Sequence, residues 1–452
     1  MEEDRSILNV RGNTIKTSLN PLYSITHNTL MDGAMIQRDS KAIDVIVIGA
    51  GIVGLAVAEK LQSQGMEVTL VEREAVAAEA SKGNAAAFAF SDIMPLASPG
   101  MIKKALKWFI DPLGPFAVVA KDLPWTLPWL MRFLAASLPS RVQRSITAQS
   151  ALMKLSRSTM ASMVERANIQ QMVHSDGVLY LYENEQYYES DHVNWALRSR
   201  HGIAFDRYEG KALHAFQSGL SESIKAGVFV PEWQTVTNPA TFCDAIHHHL
   251  TTQGVETRIA GVSAIADTKT GAEVVLDTGE RIKTDYVVLA AGPWSAALAK
   301  PLGDRIPLIG ERGYNTTFPR QSLNLDRMLI FSDHGFVVTP LDSGIRVGGA
   351  SEIARLDRAP NYRRSEAMVK KAKRFLPDLV TDEGEPWMGS RPAIPDTLPV
   401  IGCAKSSDRI IYAFGHGHLG LTQSAATGQL VCELISKEKT SVDITPFRPD
   451  RF

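Results

Sequence analysis

Six residues, Gly49-Ala50-Gly51-Ile52-Val53-Gly54, restrict this chain more than any other segment. They follow Asp44-Val45-Ile46-Val47-Ile48 directly, a run too short for a helix and rich in β-branched residues, which reads as a strand buried on both faces. A helix-compatible stretch continues to Leu61 and stops at Gly65; a second strand, Glu67-Val68-Thr69-Leu70-Val71, ends at Glu72. Strand, glycine turn, helix and strand make a βαβ unit of about the usual 30 residues. Each glycine has its own task. Gly49 permits the tight turn, Gly51 lets a pyrophosphate approach the backbone, and Gly54 lets helix and strand pack closely. The helix N-terminus adds unpaired N–H groups and a positive dipole end. Glu72 stands 18 residues after Gly54, where a carboxylate accepts both ribose hydroxyls and repels a 2′-phosphate. The unit predicts a dinucleotide lacking that phosphate, held by Gly49, Gly51, Ile52, Val53, Gly54, Glu72 and Arg73.

At 452 residues the chain exceeds one ordinary core and suits two interlocked domains. With 44% apolar and 21% charged residues it reads as a globular enzyme, not a disordered or fibrous chain. A formal net charge of −1 gives no field for nucleic acid. Cys243, Cys403 and Cys432 are far apart and lack metal-ligand spacing, which predicts a reducing, cytoplasmic setting, no disulfide framework and no metal site. No apolar run reaches the roughly 18–20 residues that span a bilayer. Residues 1–41 are polar, without periodicity and without the apolar core of a secretory signal; they read as a flexible extension or an early start codon.

After the second strand the chain leaves the dinucleotide pattern. An insertion rich in Trp, Phe, Leu and Pro opens over 101–139, and strands are expected at Gly177–Tyr182 and Gly227–Pro231. Pro239–Gln253 has helical periodicity, and the apolar strand Asp285–Ala290 with its glycine turn is expected to rejoin the first sheet. Strand pairs follow at Gly335–Thr339 and Ile345–Gly349; then come a strand at 409–414, the loop Gly415–Gly420 and a helix from Leu421 to Ser436. A free-standing NAD domain would continue into further βαβ units, so the interruption favours a flavoprotein. The expected fold is α/β, a Rossmann-like FAD-binding domain (42–95, 235–300, 385–452) interrupted by an α+β substrate domain (96–234, 301–384) with a mainly antiparallel sheet.

Five segments occur in order: Ala80-Ser81-Lys82-Gly83-Asn84-Ala85, Ala291-Gly292-Pro293-Trp294-Ser295, Trp387-Met388-Gly389-Ser390-Arg391-Pro392, Pro395 to Gly402, and Gly415 to Gly420. Together they resemble the D-amino-acid oxidase superfamily of FAD enzymes, and within it the bacterial D-amino-acid dehydrogenases, over roughly residues 42 to 440. The resemblance implies non-covalent FAD, since the surroundings of Cys403 do not match the covalent attachment site of the sarcosine oxidase type. It also implies oxidation of a D-amino acid by hydride transfer from the α-carbon to flavin N5. The imino acid formed would hydrolyse to a keto acid and ammonia. Relatives also oxidise secondary amines such as sarcosine, opines or D-hydroxyproline, some as one subunit of a heteromeric dehydrogenase, and these alternatives stay open.

The resemblance assigns further cofactor contacts to Ser81, Asn84, Ala85, Ala291, Gly292 and Trp294, and to Gly415, Gly417, His418, Leu419, Gly420, Leu421 and Thr422. The last loop precedes a helix, whose dipole stabilises charge at flavin N1 and O2. Val262 is either the residue whose backbone meets the adenine or an ordinary core valine. Arg391 offers a planar fork for the substrate carboxylate, against the alternative of a structural salt bridge. Tyr314 is a second candidate contact for that carboxylate; His416 is placed at the flavin edge, or as a packed neutral histidine, and His334 in the active-site lining. No general base is assigned. His247-His248-His249 point apart on a helix and do not form a metal site. The aromatic stretch 101–138 is read as helices over the active-site entrance or as a membrane-facing patch, the latter suited to a quinone acceptor in place of oxygen. A peripheral position on the inner face of the membrane, and a homo- or hetero-oligomer, stay open with it.

Overall fold

A computed structural model describes residues 42–98, 114, 116–319 and 321–452. The expectations for residues 1–41 and for the first part of the aromatic stretch, 101–113, lie outside the described residues.

The strand Asp44–Ile48 is the centre of a six-stranded sheet. Its order is Glu256–Ile259, Glu67–Glu72, Asp44–Ile48, Tyr286–Leu289, Ser407–Phe414, Val400–Ala404. All pairings are parallel except the last. Parallel central strands need both faces covered, which explains why Val45, Val47, Val287, Val288 and Leu289 are all fully buried. The rejoining of residues 286–289 to the first strand is observed, with Val45 opposite Tyr286. A three-stranded meander, Val262–Asp267, Ala272–Leu276 and Arg281–Thr284, precedes that strand.

The helix Ile52–Ser63 lies on one face and packs against the C-terminal helix Gly420–Ile435. The approach is close because Gly428 has no Cβ; one placed there would come within 2.6 Å of the Ala56 carbonyl oxygen. Gly54 is tighter still, since its Cβ would overlap the Gly49 carbonyl oxygen. Gly49 itself has φ +102°, and a Cβ on it would meet the Ala290 carbonyl oxygen.

The second sheet is larger and mainly antiparallel. Its order is Glu385–Ala393, Ile309–Phe318, Gly344–Ile353, Phe336–Leu341, Met328–Phe331, Val178–Tyr182, Ala226–Val230, Asp206–Glu209, with Phe116–Val118 beside Gly344–Ile353. The segment 385–393 begins the C-terminal cofactor part in the sequence reading, yet it pairs residue by residue with Ile309–Phe318 in this sheet. A strand goes where its backbone donors find partners, and Arg391 thereby stands opposite Glu311. Helices Leu123–Ala136 and Pro139–Arg166 follow the aromatic stretch, and the second, 28 residues long, packs on the C-terminal helix. Residues 42–452 form one compact unit.

Gly54→Ala is expected to destabilise the protein by about 1–3 kcal/mol, as overpacking does, and to reduce bound flavin per chain. Denaturant unfolding and the flavin absorbance of purified protein measure both, and unchanged values would remove the close approach as a requirement.

Candidate active site

One cavity of about 930 Å³ extends from the first βαβ unit to the underside of the large sheet. That volume is at the upper end for ligand sites. At one end Gly49, Gly51, Ile52, Val53, Glu72 and Arg73 line it, with Val262 beside them. Glu72 accepts hydrogen bonds from the Ala50 amide at 2.8 Å and the Glu74 amide at 3.2 Å, which hold its carboxylate at the glycine turn. The Ser81 hydroxyl accepts from the Ile52 amide at 2.9 Å, so a loop after the second strand closes over the helix start. Asn84 is spent on its own loop, donating to the Ser81 carbonyl and accepting from the Ala86 amide. Arg73 stacks over Trp294, 4.3 Å from the ring centroid.

Ser81, Asn84, Ala85, Ala291, Gly292, Trp294, Gly415, Gly417, His418, Leu419, Gly420 and Leu421 all border the cavity. Gly54 and Thr422 do not. Gly54 serves the helix–strand approach, and the Thr422 hydroxyl accepts from the buried Ala89 amide at 3.0 Å.

The far end is charged. Arg391 lines the cavity with its side chain 24% exposed, while its Nη1 donates to Glu311 at 3.0 Å and to the Ser351 hydroxyl at 3.1 Å. Both readings of Arg391 thus meet in one residue: one corner of the fork is a structural ion pair, and the side chain still borders the cavity. His418 donates from Nε2 to both oxygens of Glu311, at 2.9 and 3.1 Å. Burial by itself would raise the Glu311 carboxyl, but His418, Arg391 and the Ser351 hydroxyl outweigh it and hold it well below the usual carboxylate range. Asp92 also borders the cavity; burial raises its carboxyl, opposed by Arg198 and His418. Arg198 is buried against Trp195, with its Nη2 3.9 Å from Asp92 and its Nε without a hydrogen bond.

Two further catalytic expectations are corrected. Tyr314 borders the cavity, but side chains alternate in the strand Ile309–Phe318, so its side chain shares the face of Arg312 and not that of Glu311. The Tyr314 hydroxyl donates to Glu352 at 2.7 Å and accepts from the Asn361 amide at 3.1 Å, so it has no donor left for a substrate carboxylate. Burial and the Glu352 charge push that phenol up to about 12. His334 is outside the cavity lining, bonded to Glu183 at 3.1 Å and packed on Phe375. His416 does line the cavity, fully inside: its Nε2 pairs with the Thr427 hydroxyl at 2.8 Å, and burial lowers the ring to about 3. It is a neutral, packed histidine.

Glu311, Ser351, Arg346, Asp92 and Arg198 were not singled out by motif. Glu311 lay in view in Glu311-Arg312-Gly313-Tyr314, where strand alternation alone puts 311 and 314 on opposite faces.

The residues present fit a flavin dinucleotide. The helix Ile52–Ser63 has no side-chain cap at Gly51. His416 Nδ1 is buried with no hydrogen-bond partner. Among the described residues Arg346 bonds only the Asn84 carbonyl and the Thr317 hydroxyl, and burial lowers it to about 10, as expected of a cation that a bound anion or carbonyl would compensate.

A βαβ cradle continuous with a charged chamber under an antiparallel sheet defines a dinucleotide-dependent oxidoreductase. Residues 44–434 match the family model described as FAD dependent oxidoreductase, and the chain belongs to that family. A D-amino-acid oxidase of Bradyrhizobium diazoefficiens is 34% identical over 418 residues, 90% of this chain and 98% of that protein. A D-amino acid dehydrogenase of Paramagnetospirillum magneticum is 30% identical over 419 residues, with 90% and 98% covered. Among solved structures, glycine oxidase from Geobacillus kaustophilus superposes with a TM-score of 0.72 at 19% identity, over 90% of this chain and 98% of that one. The cofactor is FAD, the reaction an oxidation of an amino donor, and the expected fold class is observed.

His416 has a signed pH signature. Its folded value, about 3, lies below the unfolded value of about 6.5. The unfolded chain therefore binds the extra proton, and stability is complete above 6.5 and lost as the pH falls towards 3. The slope reaches about 1.4 kcal/mol per pH unit for one proton. His416→Asn should flatten that part of a thermal-midpoint profile, and an unaltered slope would show that His416 is not the group responsible.

Proposed function

We propose that this enzyme oxidises a D-amino acid to its imino acid, which hydrolyses to the keto acid and ammonia. The observation that carries this reading is Arg391, a guanidinium on the roof of a cavity continuous with the dinucleotide cradle, held in place at Nη1 by Glu311 and Ser351. Holding one corner of the fork removes rotamer freedom, so the rest of the guanidinium meets a carboxylate already oriented. The D-amino-acid oxidase and dehydrogenase relatives support the same substrate class. FAD, when bound along the Gly49–Val53 turn and the Gly415–Leu421 loop, supplies the two-electron acceptor. The chain's own share is to bind the carboxylate, hold the α-carbon towards that acceptor and exclude water.

Exposed apolar residues support a membrane as the place where electrons leave, hence a quinone acceptor. On the helix Leu123–Ala136 and just after it, Trp125, Leu127, Met131, Leu134 and Leu138 are 42 to 64% exposed. Residues 123–164 carry Arg132, Arg141, Arg144, Lys154 and Arg157 and no acidic residue. An apolar face bordered by cations suits the headgroup region of an anionic bilayer. The free thiols of Cys243, Cys403 and Cys432 support a position on the cytoplasmic side.

Anaerobic addition of D-amino acids should bleach the flavin, whereas bleaching only by N-substituted amino acids such as sarcosine would transfer the assignment to secondary amines. Arg391→Met should lower kcat/KM by about 10²-fold or more, since a charge-assisted carboxylate bond is worth roughly 3 kcal/mol; an unchanged value would remove Arg391 as the anchor. The protein should co-sediment with phosphatidylserine vesicles and less with phosphatidylcholine ones. Leu127→Glu with Met131→Glu should abolish this, and equal retention by the double variant would dismiss the patch.

A further inference from the structure

We propose that His418, positioned by Glu311 in a dyad, is a catalytic base whose Nδ1 takes the proton of the substrate ammonium. This rests on the amine-oxidising reading above. The strand Ile309–Phe318 presents Glu311 on the face opposite Arg312 and Tyr314, and the short turn Gly417–Leu419 brings His418 to it. Glu311 is 6% exposed and accepts from His418 Nε2, Arg391 Nη1 and the Ser351 hydroxyl. An oxygen pair surrounded by donors is an ionised acceptor, so Nε2 carries the hydrogen. The neutral ring then has its lone pair on Nδ1. Among the described residues Nδ1 has no hydrogen-bond partner, and the His418 side chain is 35% exposed on the cavity. The other charged groups facing this turn are Arg391 from the strand Glu385–Ala393, Asp92 from the segment after the first βαβ unit, and Arg198 behind Asp92. His416, two residues away, is buried with its Nε2 on Thr427 and cannot serve.

The chemistry requires such an acceptor. A free amino acid carries an ammonium at neutral pH, and a protonated nitrogen has no lone pair with which to form C=N. The ammonium proton passes to Nδ1, leaving a neutral amine and an imidazolium beside Glu311. With its lone pair free, the nitrogen can close the C=N bond as the α-hydrogen leaves with both electrons of its C–H bond; FAD, held by the Gly49–Val53 turn and the Gly415–Leu421 loop, would supply the acceptor for that pair. Charge balances throughout: Arg391 and protonated His418 face Glu311 and the substrate carboxylate, two positive against two negative. The dyad thus lets a zwitterion enter as a neutral whole and react as an amine.

The test uses the FAD-loaded enzyme. His418→Gln should lower kcat/KM at pH 7 by about 10²-fold, with a loss that shrinks by about tenfold per pH unit as the substrate amine deprotonates in solution. Glu311→Gln withdraws the charge that supports the imidazolium, so the acidic limb of the pH profile should move to lower pH. A second readout does not depend on turnover. 2-Aminoisobutyrate has the carboxylate and ammonium but no α-hydrogen; on binding it should convert the His418 ring, followed by histidine ¹⁵N NMR, to imidazolium. Isobutyrate, which has no ammonium, should not. A His418→Gln profile parallel to the parent, or a ring unchanged by 2-aminoisobutyrate, would overturn the dyad. If no amine reduces the flavin, the amine-oxidising reading falls, and the NMR experiment still decides for or against the proton transfer.

Discussion

Glu311 is a carboxylate with almost no access to water, and it persists as an anion only because three donors from three different places converge on it. Arg391 arrives from the neighbouring strand, Ser351 from the strand on the other side, and His418 from the loop that precedes the C-terminal helix. Strand pairing by itself explains the first two; the third joins the large sheet to the loop on the cofactor side. Removing one partner from such a cluster leaves an uncompensated buried charge, a cost of several kcal/mol. The geometry of the chamber is therefore tied to its electrostatics: the arginine fork, the histidine ring and the loop keep their places through one anion.

The cofactor end works by a different principle, steric permission rather than charge. Gly49 sits at φ +102° against Ala290, and Gly54 against Gly49, so strand, turn and helix close on one another where any Cβ would hold them apart. The same device recurs at Gly428 against Ala56, which seats the C-terminal helix on the first one. These contacts bring the Gly415–Leu421 loop to the cavity that the first βαβ unit opens, although some 360 residues separate them in sequence.

Between the two ends the cavity mixes satisfied and unsatisfied groups. Arg312 Nη1 and the Tyr314 hydroxyl both donate to Glu352, and Arg312 Nη2 donates to the Arg358 carbonyl, while Arg312 Nε is left without a partner among the described residues. Arg346, Arg198 Nε and His416 Nδ1 keep unfilled capacity while facing or adjoining the cavity. Buried polar groups are normally paired, and the exceptions on Arg198, Asn315 and His416 belong to residues that border the cavity, where a polar ligand would meet them. Arg198 and Asp92, under-compensated at 3.9 Å, give the far wall both signs of charge.

The sequence by itself determined the first βαβ unit, its glycines and Glu72, and the return of the chain at Val287–Leu289, and most of the residues it singled out border the cavity. Those features follow from local chemistry: β-branched runs, glycines where no Cβ fits, an acid at a strand end. Tertiary structure alone decided which face of each strand looks inward and which charges meet. Tyr314 and Glu311 are three residues apart in one strand, and only pairing with the strands of Ser351 and Arg391 shows that the carboxylate is the group that holds the cavity-lining Arg391 and His418. His334 is expected in the active-site lining, yet its ring bonds Glu183 and packs on Phe375 outside the cavity lining. Arg391 was visible as a motif, but its partner was not, because Glu311 lies 80 residues away and comes within reach only when the two strands align.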